Sequence, residues 1–160
     1  MSATSCLIVD IRIENDEWSQ ASPDIDTVVT SALEAAAERM KKSGSVEVLL
    51  TDDAKMQELN GRWRSKDKPT DVLSFPSDMP DILGGQSFLG DLALGLGVIK
   101  RDASEIGRPF DLHITHLLVH GFLHLLGLDH IQPDDAKTME GLEADILASF
   151  GLPDPYGDAA

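Results

Sequence analysis

Cysteine is nearly absent from this 160-residue chain. The single thiol, Cys6, has no internal partner, which excludes a disulfide framework, and its place in the apolar run Cys6 to Val9 marks it as a buried small hydrophobe. Lysine and arginine are scarce as well, 13 against 28 aspartates and glutamates, for a formal net charge of −15. A protein that binds nucleic acid without regard to sequence needs a broad cationic surface to displace phosphate counterions, and this composition excludes one. No uninterrupted apolar run reaches the roughly eighteen residues of a membrane span. The start of the chain also lacks the basic, apolar and small-residue order of a secretory leader, so a cytoplasmic location without a membrane partner is the expectation. With 42% hydrophobic residues and neither repeats nor low-complexity linkers, residues 1–160 are expected to form a single domain with a true core.

Apolar periodicity divides the chain into alternating strands and helices. Leu7 to Ile13 alternates branched apolar with polar residues and predicts a strand. Ser22-Pro23-Asp24 opens a helix to about Lys42, which Ser43-Gly44 ends. Val46 to Leu50 is a second predicted strand, and Thr51 or Asp52 caps a short helix that turns Met56 and Leu59 inward. Arg64 to Pro69 is polar and predicts a mobile loop; Val72 to Phe75 is a short strand ended by Pro76. Asp78 to Ser87 is turn-rich, Gly90 to Ile99 is expected to be a strand that admits close backbone approach, and Lys100 to Ile106 one or two helical turns. Asp111 to Leu126 is apolar on nearly every side except a histidine stripe, as in a buried central helix, and Asp134 to Phe150 is a last amphipathic helix. Together these predict an α+β domain, a wholly α/β arrangement being the alternative, with a small mixed sheet of about four strands and the histidine helix packed on it.

That stripe is the most chemically specific feature. All five histidines fall between residues 113 and 130. His120 and His124 are four apart, so on a helix both rings hang over one face, about 6 Å apart along the axis. Gly127 then stands where a C-cap takes the left-handed conformation, and the returning chain would bring His130 to the other two. Three imidazoles with an open fourth position are the ligand set of a catalytic zinc site. His116 and His120 are also four apart, but His116 and His124 would lie about 12 Å apart on a straight helix, too far to share an ion. The nearness of Gly127 and His130 favours the later pair, leaving His113 and His116 as supporting groups, wall residues or packing.

The spacing of residues 120, 124, 127 and 130 matches the metzincin proteases, whose pattern has glutamate directly after the first histidine. Gly121 stands there instead, so the general base of a protease is missing. Asp129, beside His130, is a candidate for orienting a ligand or moving a proton. Lys137 is the only lysine or arginine beyond residue 110, whereas Arg62-Trp63-Arg64-Ser65-Lys66-Asp67-Lys68 concentrates cationic charge around an aromatic. That cluster is compatible with a local anion site and equally with a solvated polar loop.

The run His120 to His130, Pro69-Thr70-Asp71-Val72-Leu73-Ser74-Phe75-Pro76, Gly90-Asp91 and Leu152-Pro153-Asp154-Pro155-Tyr156 resembles the bacterial YbeY endoribonuclease family from about residue 46 to 156. The resemblance implies a zinc-dependent, single-strand endoribonuclease of ribosomal-RNA maturation and ribosome quality control. It also implies the small ribosomal subunit and its associated proteins as partners, with no DNA. It matches His120, His124 and His130 to the ligands of one zinc ion and Arg64 to a functionally important arginine. Lys66 is a further candidate for the RNA backbone. Trp63 and Leu128 stand where the family often has tyrosine, and Asp71 where asparagine is frequent. Two other classes remain open: a metal-dependent hydrolase of peptides or small molecules, and a non-catalytic ribosome-assembly factor with a structural zinc.

Overall fold

Alternating side chains of β2 (Gly44–Thr51) point Val46, Val48 and Leu50 into one core and leave Ser45, Glu47 and Leu49 on the other face. A strand buried on one side in this way sets its register by its apolar set. In the computed structural model, which describes residues 7–77, 87–128 and 132–151, β2 lies inside a four-stranded sheet of order β1-β2-β4-β3. β1 (Leu7–Ile13) and β4 (Phe88–Gly95) run parallel to β2, and β3 (Val72–Pro76) closes the far edge antiparallel to β4. Pro76 is tolerated in β3 because an edge strand can spare an N–H.

The main core fills one face. There α2 (Ile25–Met40) and α5 (Phe110–Leu125) pack on the strands, joined by α4 (Leu96–Ile106) and α6 (Pro133–Ala148). Ten of the sixteen residues of α5 are buried, so it is the central helix its composition predicts. Among the described residues, the opposite face carries α3 (Asp53–Arg64), over a small cluster of Met56, Leu73 and Ala93.

Three expectations are corrected. A short helix, α1 (Glu17–Ala21), precedes α2 and buries Trp18, whose Nε1 donates to the Thr51 carbonyl at 2.9 Å. The helix after Asp52 is not short: it runs to Arg64, its N-terminus capped by the Asp52 carboxylate on the Lys55 N–H. The loop beyond it is tied back by Asn60, which accepts from the Lys66 N–H and donates through its side chain to the Lys68 carbonyl. Finally, the strand expected to reach Ile99 stops at Gly95, and Leu96 starts α4. The Asp53 carboxylate accepts from the Val98 N–H at 3.0 Å and from Arg101 at 2.9 Å, so a residue of α3 caps the first turn of α4. Close approach at Gly90 is observed: a Cβ there would meet the Phe75 carbonyl at 2.5 Å. Cys6, most of the turn-rich segment, and Leu152 to Tyr156 lie outside the described residues.

Candidate metal centre and RNA groove

Helix α5 ends in a Schellman motif. Gly127 has φ 92°, the Gly127 N–H donates to the His124 carbonyl at 3.0 Å, and the Leu128 N–H donates to that of Leu123 at 3.1 Å. This turn leaves the Leu128 carbonyl 2.9 Å from Nδ1 of His124. A carbonyl only accepts, so Nδ1 carries the hydrogen and Nε2 of the neutral ring presents a lone pair. Nδ1 of His120 lies 2.7 Å from Oε1 of Glu143, a carboxylate fully buried on α6. Its Nε2 is therefore turned outward in the same sense.

The two Nε2 atoms are 3.0 Å apart. A proton on either nitrogen makes this contact a hydrogen bond; with both in the lone-pair form, a metal cation takes the place of that proton. Two nitrogens each about 2.1 Å from a tetrahedral metal would stand about 3.4 Å apart, close to the spacing found. A carbonyl on one ring and a carboxylate on the other are also the partners that hold metal-ligating imidazoles in their tautomer. The donor set thus fits a divalent metal. Among the described residues no group of three or more histidine, cysteine or acidic side chains converges on one point; His130, the third expected ligand, and Asp129 lie outside them.

His116 is engaged differently. Arg108 donates to its Nδ1 at 3.1 Å, and its Nε2 faces the same Glu143 oxygen at 3.4 Å. Both ring nitrogens are thereby occupied, and Glu143 gathers two imidazoles. His113 is buried in the wall; desolvation first, then the charge of Arg108, holds its pKa below the usual histidine range. Glu143 was not singled out from the sequence, although a signal was present: it falls in line with Met139, Ile146 and Leu147 on the buried stripe of α6. A carboxylate in an apolar stripe demands a partner.

Gly121 follows His120 and faces the sheet. A Cβ there would lie 2.9 Å from Leu92 Cδ2 and 3.2 Å from Ser74 Oγ, so the position that holds glutamate in metzincins has no room for one. The Ser74 hydroxyl instead donates to the Gly121 carbonyl at 3.1 Å, pinning β3 to the histidine helix. On the other side of that strand, Nη2 of Arg64 donates to the Ser74 carbonyl at 2.5 Å, and its guanidinium lies 5.7 Å from the centroid of the Phe75 ring. Arg64, Lys66 and Lys68 line one groove of about 880 Å³ with His116, His120 and His124. The structure thus brings Arg64 and Lys66 to the same groove as the histidine pair.

A half-buried imidazole pair set for a cation, with guanidinium and ammonium groups along one groove, defines a site for polyanion chemistry on an α+β scaffold. A family model described as Endoribonuclease YbeY matches residues 10–151. Proteins named Endoribonuclease YbeY from Bradyrhizobium diazoefficiens and Rhizobium meliloti are 44% and 41% identical to this chain, over 99% and 96% of its length and 90% and 97% of theirs. The chain belongs to the YbeY endoribonuclease family. The solution structure of TM1509 from Thermotoga maritima, 20% identical, matches 94% of this chain and all of that one with a TM-score of 0.53, a likeness of fold.

Proposed function

We propose that this protein is a zinc-dependent endoribonuclease that cuts single-stranded RNA during ribosomal-RNA maturation, notably at the 3′ end of the small-subunit RNA, and serves ribosome quality control. The observation that carries this reading is the 3.0 Å meeting of the His120 and His124 Nε2 atoms in the groove that Arg64 lines. His120, His124 and His130 would hold the ion. The chemistry zinc supplies in such a setting is Lewis acidity and a supply of hydroxide near neutral pH.

The residues of the chain do the rest. Glu143 and the Leu128 carbonyl hold the two rings with Nε2 toward the groove. Arg64 spends one N–H on Ser74 and one face on Phe75, which fixes a guanidinium whose remaining donors can clamp a phosphate through two parallel bonds. Charge that develops on the phosphoryl oxygens during cleavage then meets a positioned cation. Lys66 supports the neighbouring backbone, and Asp129 remains a candidate proton carrier.

The net charge of −15 argues that RNA is delivered within a ribosomal particle, with the small subunit and its proteins as partners in the cytoplasm. No helix among the described residues is long and apolar enough to cross a membrane. A peptidase is disfavoured by Gly121.

Purified protein should hold about one equivalent of metal, as expected for a site of this type. His124→Ala should lose both metal and RNA cleavage, and Arg64→Ala should keep the metal and lose cleavage. Ribosomal-RNA termini in cells carrying either variant should be unprocessed. Cleavage by a metal-free preparation rejects the mechanism. Co-sedimentation with ribosomal particles and no RNA processing would instead mark an assembly factor with a structural metal.

A further inference from the structure

Trp63 is 62% exposed, the most exposed of the large hydrophobic side chains among the described residues. The fold does not require it: α3 buries Met56 and Asn60, and the indole makes one ring contact, edge-on to Phe75 with centroids 6.3 Å apart. Its surroundings are unusual for so acidic a protein. Four cations, Arg62, Arg64, Lys66 and Lys68, lie within five residues of it, and among the described residues none of the four is paired with a carboxylate. Arg64 packs on the same Phe75 ring and reaches the histidine groove, so the order from that groove outward is guanidinium, phenyl, indole.

Resting on the proposed RNA cleavage, we propose that Trp63 is a stacking platform for a nucleobase next to the phosphate held by Arg64, and so a substrate-positioning residue for single-stranded RNA. A base in a duplex has both faces covered by its neighbours; only an unpaired one offers a π-face to an indole. Stacking also needs no net charge. It is the form of attraction open to a chain whose acidic surface repels phosphates: the cavity that Trp63 lines carries Arg12 and Arg64 beside Asp10, Glu47 and Asp91.

The chain contains two tryptophans, and Trp18 is fully buried with its Nε1 bonded to Thr51, so a ligand that quenches emission by direct contact acts through Trp63. The zinc-loaded protein would be titrated with single-stranded oligouridylate of about ten nucleotides, a length within the site sizes of such binders, at two salt concentrations, with strand length checked after each run. Quenching is expected, and little from a duplex of equal length. Trp63→Ala should weaken binding by about five- to hundredfold, with the salt slope unchanged. Trp63→Tyr should restore most of it. Arg64→Ala should instead lower the salt slope by about one. Thermal melts of the Trp63 variants should match the wild type, given its exposure.

Wild-type protein that binds and cuts the oligonucleotide without a change in emission, or Trp63→Ala protein that binds as tightly, overturns this proposal and leaves the endoribonuclease reading standing. Loss of ribosomal-particle binding by Trp63→Ala at unchanged oligonucleotide affinity would assign the indole to a protein contact and also overturn it. Wild-type protein that neither binds nor cuts RNA overturns both.

Discussion

Replacing Glu143 by glutamine tests the support of the metal centre without touching a ligand. The carboxylate is fully buried, lies 2.7 Å from Nδ1 of His120 and 3.4 Å from Nε2 of His116, and acts on His120 as a charged acceptor. A hydrogen bond to a charged group contributes about 1.5–3 kcal/mol and a neutral one about 0.5–1.5 kcal/mol. The amide should therefore lose about 1–1.5 kcal/mol of hold on the ring, about a tenfold effect, at the lower end of the roughly 10–100-fold seen when such outer partners are altered. The assay is competition for zinc between the protein and a chromophoric chelator. Glu143→Gln should bind zinc about tenfold more weakly, and Glu143→Leu, which removes the acceptor altogether, more weakly still. The metal-free Glu143→Gln protein should melt no lower than wild type, because a buried charge costs desolvation that an amide does not. Zinc affinity within a factor of about two of wild type, combined with a lowered melting temperature, would refute the reasoning and make Glu143 a purely structural group.

Three further outcomes follow from packing and charge. Gly121→Ala places a methyl 2.9 Å from Leu92 and should destabilise by about 1–3 kcal/mol, read as a fall of several degrees in Tm; an unchanged Tm would show that α5 can lift from the sheet. Asp53→Ala removes the cap on Val98 and the partner of Arg101, and should cost about 1–2 kcal/mol in a denaturant titration, whereas Asp53→Asn should retain part of the cap. Burial, then the hydrogen bond and charge of Glu47 on the next strand, push the Asp91 pKa up from 3.8 to about 6. A raised carboxylate pKa makes the ionised form unfavourable in the fold. The penalty is absent below pH 3.8, grows between pH 4 and 6, and is full above 6. Asp91→Asn should therefore stabilise the protein above pH 6, by about 1 kcal/mol once solvent screening on this open sheet face is allowed for, and leave stability unchanged at pH 3.5; the same gain at both pH values would contradict this origin.

The histidine helix was legible because its information is local. Four-residue spacing puts two rings on one face, and a glycine after the last turn stops the helix, whatever the rest of the chain does. The strands β1, β2 and β3 were legible for the same reason, β1 through alternation and β2 and β3 as short apolar runs, the latter ended by Pro76. The start of α4 was not: Leu96, Val98 and Ile99 suit a strand, and what turns them into helix is a cap from Asp53, 45 residues away from Val98. Glu143 shows the same limit. Its position in an apolar stripe was visible, but its partners are on another helix, and only packing α6 against α5 reveals that the stripe carries a carboxylate for two imidazoles. The Arg62 to Lys68 run left two readings open. The structure turns Arg64 onto Ser74 and Phe75 and leaves Trp63 outside, a division that depends on where α3 ends against β3.

Zinc K-edge X-ray absorption on the purified protein tests the metal centre most directly. The account predicts three imidazole nitrogens at about 2.0–2.1 Å with one oxygen neighbour, and loss of an imidazole contribution in His130→Ala. Protein that takes up no zinc, or a spectrum unchanged in His130→Ala, would contradict it.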